Sequence, residues 1–209
     1  MDPKAYRKAV ALLAESEFID IFGVENSLTP AMDLFTKLGY LGLTCRLNTD
    51  AYLQQIGAGH LPHGAVAVAF SHSGSSADTV KALRLAKSHG AKTIAITNVI
   101  GAPLASWADV TLLTGRDSHT IYGNAIFSRV ADTALVDMLY MGVILSGYGR
   151  FSTALDESGR MIRDRVFGTE LLLYRALGRI ALVVAAWVVD DLVVVALVAT
   201  VLRHVPANT

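Results

Sequence analysis

Residues 65–79 read AVAVAFSHSGSSADT, and this stretch decides the fold. Its first six residues form a continuous apolar run of strand length, which is typical of a parallel strand covered on both faces. Beyond the polar loop, Val80, Leu83 and Ala86 recur at helical spacing, which indicates an amphipathic helix. The sequence therefore predicts a buried strand, a short loop and a helix in direct succession.

The loop of residues 71–76, called here the serine loop, is rich in small hydroxyl side chains. Gly74 permits a tight turn, and four serines can donate hydrogen bonds without adding bulk or charge. Because the loop leads into a helix, backbone N–H groups and the positive end of the helix dipole favour an anion there. The pattern predicts a phosphate cradle. Alternatively, the serines only form the turn and the cap, with Ser75 and Asp78 in a capping-box relation.

Apolar strands and amphipathic helices alternate on both sides of this stretch. The predicted strands are 18–22, 43–47, 65–70, 93–97 and 109–113. The predicted helices are 3–16, 28–40, 49–56 with Thr49 as cap, the helix that His89-Gly90 closes, a turn at 103–107, 122–146 and 151–166. Such alternation predicts an α/β fold, a three-layer α-β-α sandwich with a parallel sheet of roughly five strands.

A second loop, residues 23–27 and called here the asparagine loop, also joins a strand to a helix. In open α/β sheets the ligand lies beyond the carboxyl ends of the strands. Both loops follow such ends, so we expect them to contribute to one binding site.

The amino-acid composition argues against several classes of protein. Of the 209 residues, 53% are hydrophobic and 17% charged, with 18 basic and 18 acidic side chains. This balance argues against disorder and against a strongly basic nucleic-acid surface. The single cysteine, Cys45, cannot form an internal disulfide, so the cytoplasm is the simplest compartment. The six histidines lack the spacing of metal ligands, and we expect neither a metal nor a cofactor.

Three segments in this order, 71–79, 87–98 and 103–110, resemble the SIS (sugar isomerase) domain of phosphosugar-binding proteins. The resemblance runs from about residue 5 to 165. Within that family, residues 132–139 after the lead-in IFSR at 126–129 are most similar to the effector domain of RpiR-type transcriptional regulators. The resemblance implies a SIS fold for residues 1–166 and a phosphorylated sugar as ligand.

The resemblance also implies the site residues. Phosphate contacts would come from three hydroxyls and two backbone N–H groups, those of Ser71, Ser73 and Ser76 and those of His72 and Gly74 respectively. The sugar would be contacted from the asparagine loop by Glu25, Asn26 and Ser27.

Glu25 departs from the family pattern, in which a small residue, often glycine, occupies this position. A carboxylate near a phosphate repels it unless the carboxylate points away or is protonated. Glu25 is therefore interpreted as a sugar-hydroxyl acceptor, a general base or an ion-pair partner of an arginine.

Aldose–ketose isomerisation needs a base near the carbon acid and usually a second acid. The candidates are Glu25 and His119, whereas His60 and His63 precede the central strand. Since no acid/base pair is evident, we expect a sensor, the phosphosugar-binding part of an RpiR-type regulator that works as a homodimer or homotetramer. It would reach DNA only through a helix-turn-helix domain that this chain lacks. The alternatives are a sugar-phosphate isomerase and a membrane-tethered phosphosugar binder.

Residues 167–209 form a hydrophobic appendage of different composition. Residues 180–202 are long enough to cross a bilayer, but Asp190 and Asp191 interrupt them at the midpoint. A buried interface helix, two β-branched strands and a segment without selected structure are the other interpretations.

Overall fold

The computed structural model describes residues 2–115 and 128–165. By its contacts the chain divides into two units, Met1–Ser158 and Gly159–Thr209. The strands are β1 (Ile19–Phe22), β2 (Cys45–Leu47), β3 (Val66–Phe70), β4 (Lys92–Thr97) and β5 (Val110–Leu113). The helices are α1 (Pro3–Glu15), α2 (Leu28–Tyr40), α3 (Ala51–Ala58), α4 (Ala77–Ser88), α5 (Val130–Ser146) and α6 (Tyr148–Met161). Short 3₁₀ helices occupy Glu25–Ser27, Pro103–Trp107 and Arg163–Arg165.

The five strands form one parallel sheet in the order β2-β1-β3-β4-β5. In register, Ile19 of β1 lies opposite Val66 of β3, and Val66 lies opposite Lys92 of β4. The central strand β3 is buried along its whole length. Helices cover both faces of the sheet, which confirms the predicted three-layer α-β-α sandwich.

The two faces of β3 carry side chains of different size. Val66, Val68 and Phe70 join the larger core cluster, which packs under α1, α2 and α5. Ala67 and Ala69 belong to the second cluster, on the side of α3 and α4. Small side chains on this second face let α4 pack close to the strand from whose end it starts. The serine loop between them can therefore be short.

Three predicted helix ends are wrong. Residues 128 and 129 are not helical, and α5 begins at Val130, whereas residues 122–127 lie outside the described part of the chain. α6 begins at Tyr148 rather than at residue 151, so Gly149, which the predicted bounds left between two helices, lies inside α6. The cap of α3 is Asp50 rather than Thr49, because the Asp50 carboxylate accepts a hydrogen bond from the N–H of Leu53 at 2.9 Å.

The hydrophobic appendage, residues 167–209, lies outside the described residues, and its interpretations stay predictions. Within residues 2–115 and 128–165, no single helix has the length and apolarity needed to cross a membrane. Only α5 and α6 taken together, with a bend of 116° between them, satisfy that criterion by length and composition.

Position 74 requires glycine for two reasons, the backbone conformation and the lack of space for a side chain. Its φ is 62°, and a Cβ there would lie 2.3 Å from Ala102 Cβ and 2.8 Å from Thr97 Oγ1. Gly90 offers a matched comparison, because its φ is 87° but a Cβ at that position would meet no atom within 4 Å.

We predict that Gly90→Ala costs about 1–2 kcal/mol of unfolding free energy, which is the left-handed backbone cost alone. Gly74→Ala adds overpacking to that cost and should lose a further 1–3 kcal/mol or so. Urea unfolding followed by circular dichroism measures both. Equal losses in the two variants would contradict the predicted crowding around Gly74.

Candidate functional site

The strand order creates a cleft between β1 and β3. The chain leaves β1 towards β2 on one side and leaves β3 towards β4 on the other, so the connections diverge at the carboxyl ends. A cavity of about 490 Å³ opens there. It is lined by residues 24–27 after β1, by residues of the serine loop and Asp78 after β3, and by Arg129 just before α5. The structure thus brings together the two loops that the sequence predicted to share a site.

The serine loop is held by backbone carbonyls. The His72 carbonyl accepts hydrogen bonds from the Asn98 N–H at 3.0 Å and from the Thr97 hydroxyl at 3.2 Å. The Gly74 carbonyl accepts one from the Leu104 N–H at 2.9 Å. β4 and the following 3₁₀ helix therefore anchor the loop through its backbone.

The predicted capping box is wrong. The cap of α4 is Ser76, whose side chain makes no capping hydrogen bond. Ser75 Oγ instead donates to the Ser73 carbonyl at 3.2 Å, and Asp78 accepts from Gln55 Nε2 at 3.1 Å. The first turn of α4 therefore keeps N–H groups that no side chain caps, at the end of the helix where an anion is favoured.

Gly74 has a structural role that differs from the phosphate contact implied by the family resemblance. Its N–H donates to the Ser71 carbonyl at 2.9 Å, which closes the turn. Gly74 is also absent from the residues that line the cavity, whereas Ser71, Ser73 and Ser76 line it. Gly74 shapes the loop, and the hydroxyls of these serines stay the predicted anion contacts.

The asparagine loop is fixed by a buried glutamine from α3. Gln54 Nε2 donates to the carbonyl of Gly23 at 2.7 Å, and Gln54 Oε1 accepts from the Gly23 N–H at 3.3 Å. This two-way clamp sets the direction in which the chain leaves β1. Asn26 and Ser27 consequently line the cavity from the 3₁₀ helix that follows.

Glu25 lies in the left-handed backbone region with a φ of 50°, unlike any other described residue except glycines. Such a conformation costs a non-glycine residue about 1–2 kcal/mol, which is the physical reason why glycine suits this position. Glu25 lines the cavity and makes no ion pair within residues 2–115 and 128–165. Its interpretations as hydroxyl acceptor and as general base stay predictions.

The histidines are distributed unequally. His72 lines the cavity, whereas the exposed His60 and His63 do not. His119, the other predicted catalytic residue, lies outside the described residues. Within the described part of the chain, no group of three His, Cys, Asp or Glu side chains could hold a metal ion.

Arg129 is a cavity residue that the sequence interpretation missed. Among the described lining residues it is the one Lys or Arg side chain. No signal in the sequence pointed to it, because the predicted helix over 122–146 placed Arg129 in its interior, whereas in the structure Arg129 immediately precedes the first turn of α5. Within the IFSR segment, this arginine indicated only a family likeness and not a binding role.

His72, Arg129 and Asp132 form an electrostatic cluster beside the serine loop. His72 Nδ1 lies 3.8 Å from the Asp132 carboxylate, and both side chains are largely buried. Burial lowers the pKa of His72, the Arg129 charge lowers it further, and Asp132 partly opposes them by raising it. His72 is therefore a neutral imidazole at pH 7.

Fold and cavity together define a doubly wound α/β domain with an anion-favouring site at its topological switch point. Residues 12–142 match the SIS domain family, and the chain belongs to that family.

Two relatives and one solved structure illustrate the relationship. An uncharacterised HTH-type transcriptional regulator of Caldanaerobacter subterraneus subsp. tengcongensis is 31% identical over 158 residues, which are 76% of this chain and 56% of that protein. HTH-type transcriptional regulator RpiR of Escherichia coli is 26% identical over 143 residues, 68% of this chain and 48% of that protein. The chain thus spans about half the length of the curated relatives it matches.

The solved structure is the Vibrio vulnificus NanR protein complexed with ManNAc-6P. It superposes with a TM-score of 0.74 at 25% identity and covers 79% of this chain and 62% of its own. The similarity to HTH-type transcriptional regulators, RpiR of Escherichia coli among them, confirms the predicted likeness to RpiR-type proteins.

We predict that Arg129→Gln raises the pKa of His72, because a like charge that disfavours the imidazolium is removed. Asp132→Asn should lower the same pKa, because an opposite charge is lost. NMR titration of the His72 ring Cε1–H gives both values. Unchanged values in both variants would show that burial alone sets the titration of His72.

Proposed function

We propose that this chain is the phosphosugar-sensing domain of an RpiR-type transcriptional regulator. The observation that carries the proposal is one cavity shared by the asparagine and serine loops at the carboxyl ends of β1 and β3. Similarity to HTH-type regulators over about half their length supports the regulatory role.

The chemistry of the cavity supports a sugar phosphate as ligand. A volume of about 490 Å³ lies within the roughly 300–1,000 Å³ range of small-molecule sites. Ser71, Ser73 and Ser76 offer short donors beside the start of α4, which suits a phosphate. Asn26 and Ser27 offer the mixed donors and acceptors that sugar hydroxyls need. The NanR structure contains ManNAc-6P, a ligand of this chemical kind.

Assembly and DNA contact complete the proposed function. α5 exposes Met138, Met141 and Leu145, at 47%, 50% and 68%, which suits packing against a second copy in a homodimer or homotetramer. DNA would be reached through a helix-turn-helix domain like the one for which the relatives are named. Such a regulator works in the cytoplasm, where it meets both sugar phosphates and DNA.

A thermal-shift panel tests the ligand. Each sugar phosphate is compared with its unphosphorylated sugar and with inorganic phosphate. At about one hundred times Kd a ligand adds about 2.7 kcal/mol of stability, so the matching sugar phosphate should raise Tm by several degrees. The proposal fails if no sugar phosphate stabilises the protein.

Two serine variants locate the site. Ser73→Ala should weaken binding about 10-fold to 100-fold, because a hydrogen bond to a charged group contributes about 1.5–3 kcal/mol. Ser88→Ala is the matched control, since this exposed serine lies outside the cavity lining and its hydroxyl donates to the Leu85 carbonyl at 2.8 Å. Equal binding by both variants would place the phosphate elsewhere.

A sugar-phosphate isomerase is the second candidate, and the strained backbone of Glu25 inside the cavity favours it. Strained residues held at a binding cavity often belong to a mechanism. Proton exchange at the carbon next to the carbonyl, followed by NMR in D₂O with any stabilising sugar phosphate, distinguishes the two functions. Turnover that Glu25→Gln abolishes would replace the sensor with an isomerase, and no exchange over hours excludes the isomerase for that ligand.

A further inference from the structure

The guanidinium of Arg129 has an unusual environment. Nε and Nη1 are buried, and neither has a hydrogen-bond partner within the described residues. A buried donor without a partner destabilises the folded protein, and more so when it is charged. Proteins keep such a cost where a ligand supplies the missing acceptor. Arg129 is also one of the residues that line the cavity.

The charges around the cavity favour a cation as a contact for an anionic ligand. Glu25 and Asp78 both line the cavity and carry negative charge, whereas the serine loop contributes hydroxyls and no cation. His72 is neutral at pH 7. A phosphate dianion entering this cavity would meet two carboxylates, and among the described lining residues only Arg129 offers a compensating charge.

We propose that Arg129 is the cationic ligand-binding residue of this cavity, donating through its buried guanidinium to the phosphoryl oxygens that the serine loop also contacts. The inference rests on the proposed sugar-phosphate ligand and identifies the group that recognises its charge. Arginine suits this part because its planar fork donates two parallel hydrogen bonds to a phosphate.

The position of Arg129 connects the ligand with α5. Arg129 is the residue before the first turn of α5, and its carbonyl accepts the Thr133 N–H at 2.9 Å. A sugar phosphate held by Arg129 would therefore contact three elements at once, the two cavity loops and the start of the helix that bears the exposed apolar face.

Binding measurements on three variants test the proposal. Isothermal titration with the sugar phosphate found by the thermal-shift panel should show at least 10-fold weaker binding for Arg129→Gln, with a shallower dependence on salt concentration. Arg129→Lys keeps the charge without the fork and should lie between Gln and wild type. Arg7→Gln is the matched control, because Arg7 is an exposed arginine on α1 outside the cavity, and its affinity should equal that of wild type.

Stability of the unliganded protein separates binding from a structural role. Because Nε and Nη1 of Arg129 have no hydrogen-bond partner within the described residues, Arg129→Gln should leave Tm unchanged or higher without ligand. A large loss of Tm without ligand would overturn the proposal in favour of a structural arginine. Wild-type protein gives a further readout, since its Arg129 Nε–H NMR signal should shift on adding inorganic phosphate, and an unmoved signal overturns the proposal.

The outcomes distinguish this inference from the proposed function. If sugar phosphates bind wild type and Arg129→Gln equally, the function stands and Arg129 is not the phosphate ligand. If no sugar phosphate binds but inorganic phosphate stabilises wild type and not Arg129→Gln, Arg129 is the anion ligand and the sugar-phosphate function fails. If neither binds, both proposals fail.

Discussion

After β1 and β3 the chain leaves the sheet in opposite directions, and the rest of this structure depends on that divergence. Parallel strands buried on both faces need crossovers over the sheet, and the order β2-β1-β3-β4-β5 forces those crossovers apart at one point. The resulting cleft exposes the two loops that carry the polar side chains. Gln54 fixes the exit from β1, and β4 fixes the serine loop through the His72 carbonyl. The site is thus a consequence of sheet order, stabilised by main-chain hydrogen bonds.

The cavity is lined by uncharged serine hydroxyls and by a few charged side chains of both signs. Serine hydroxyls and the start of α4 favour an anion, while Glu25 and Asp78 oppose one. Arg129, which forms a cluster with His72 and Asp132, adds a positive charge to the cavity lining. Burial lowers the pKa of His72 and keeps its imidazole neutral. Within the described residues, the buried Nε and Nη1 of Arg129 have no hydrogen-bond partner, so the unliganded cavity leaves two donors of a charged group unsatisfied.

Several features were predictable because they follow from local sequence. The strand patterns, the helix over 28–40 and the two polar loops depend on periodicity and on turn residues, and the structure places all of them as expected. The wrong predictions concern helix starts, where contacts and capping rather than the local residue pattern set the first helical residue. Gly149 lies within α6 because packing of Phe151 outweighs the modest helix penalty of one glycine. The Ser75–Asp78 capping box does not form because α4 is capped at Ser76, one residue later than that pairing requires.

Taken alone, the sequence determined the fold class and the position of the serine-rich loop, because strand and helix periods and a glycine turn are encoded over a few consecutive residues. Tertiary structure decided which residues meet. Arg129 lies more than fifty residues from the serine loop in sequence, yet both line one cavity. No local pattern could reveal that contact, because it depends on how α5 packs across α1 and α2 onto the sheet. The serines of the loop are close together in the sequence, whereas only the fold brings Arg129 to the same cavity.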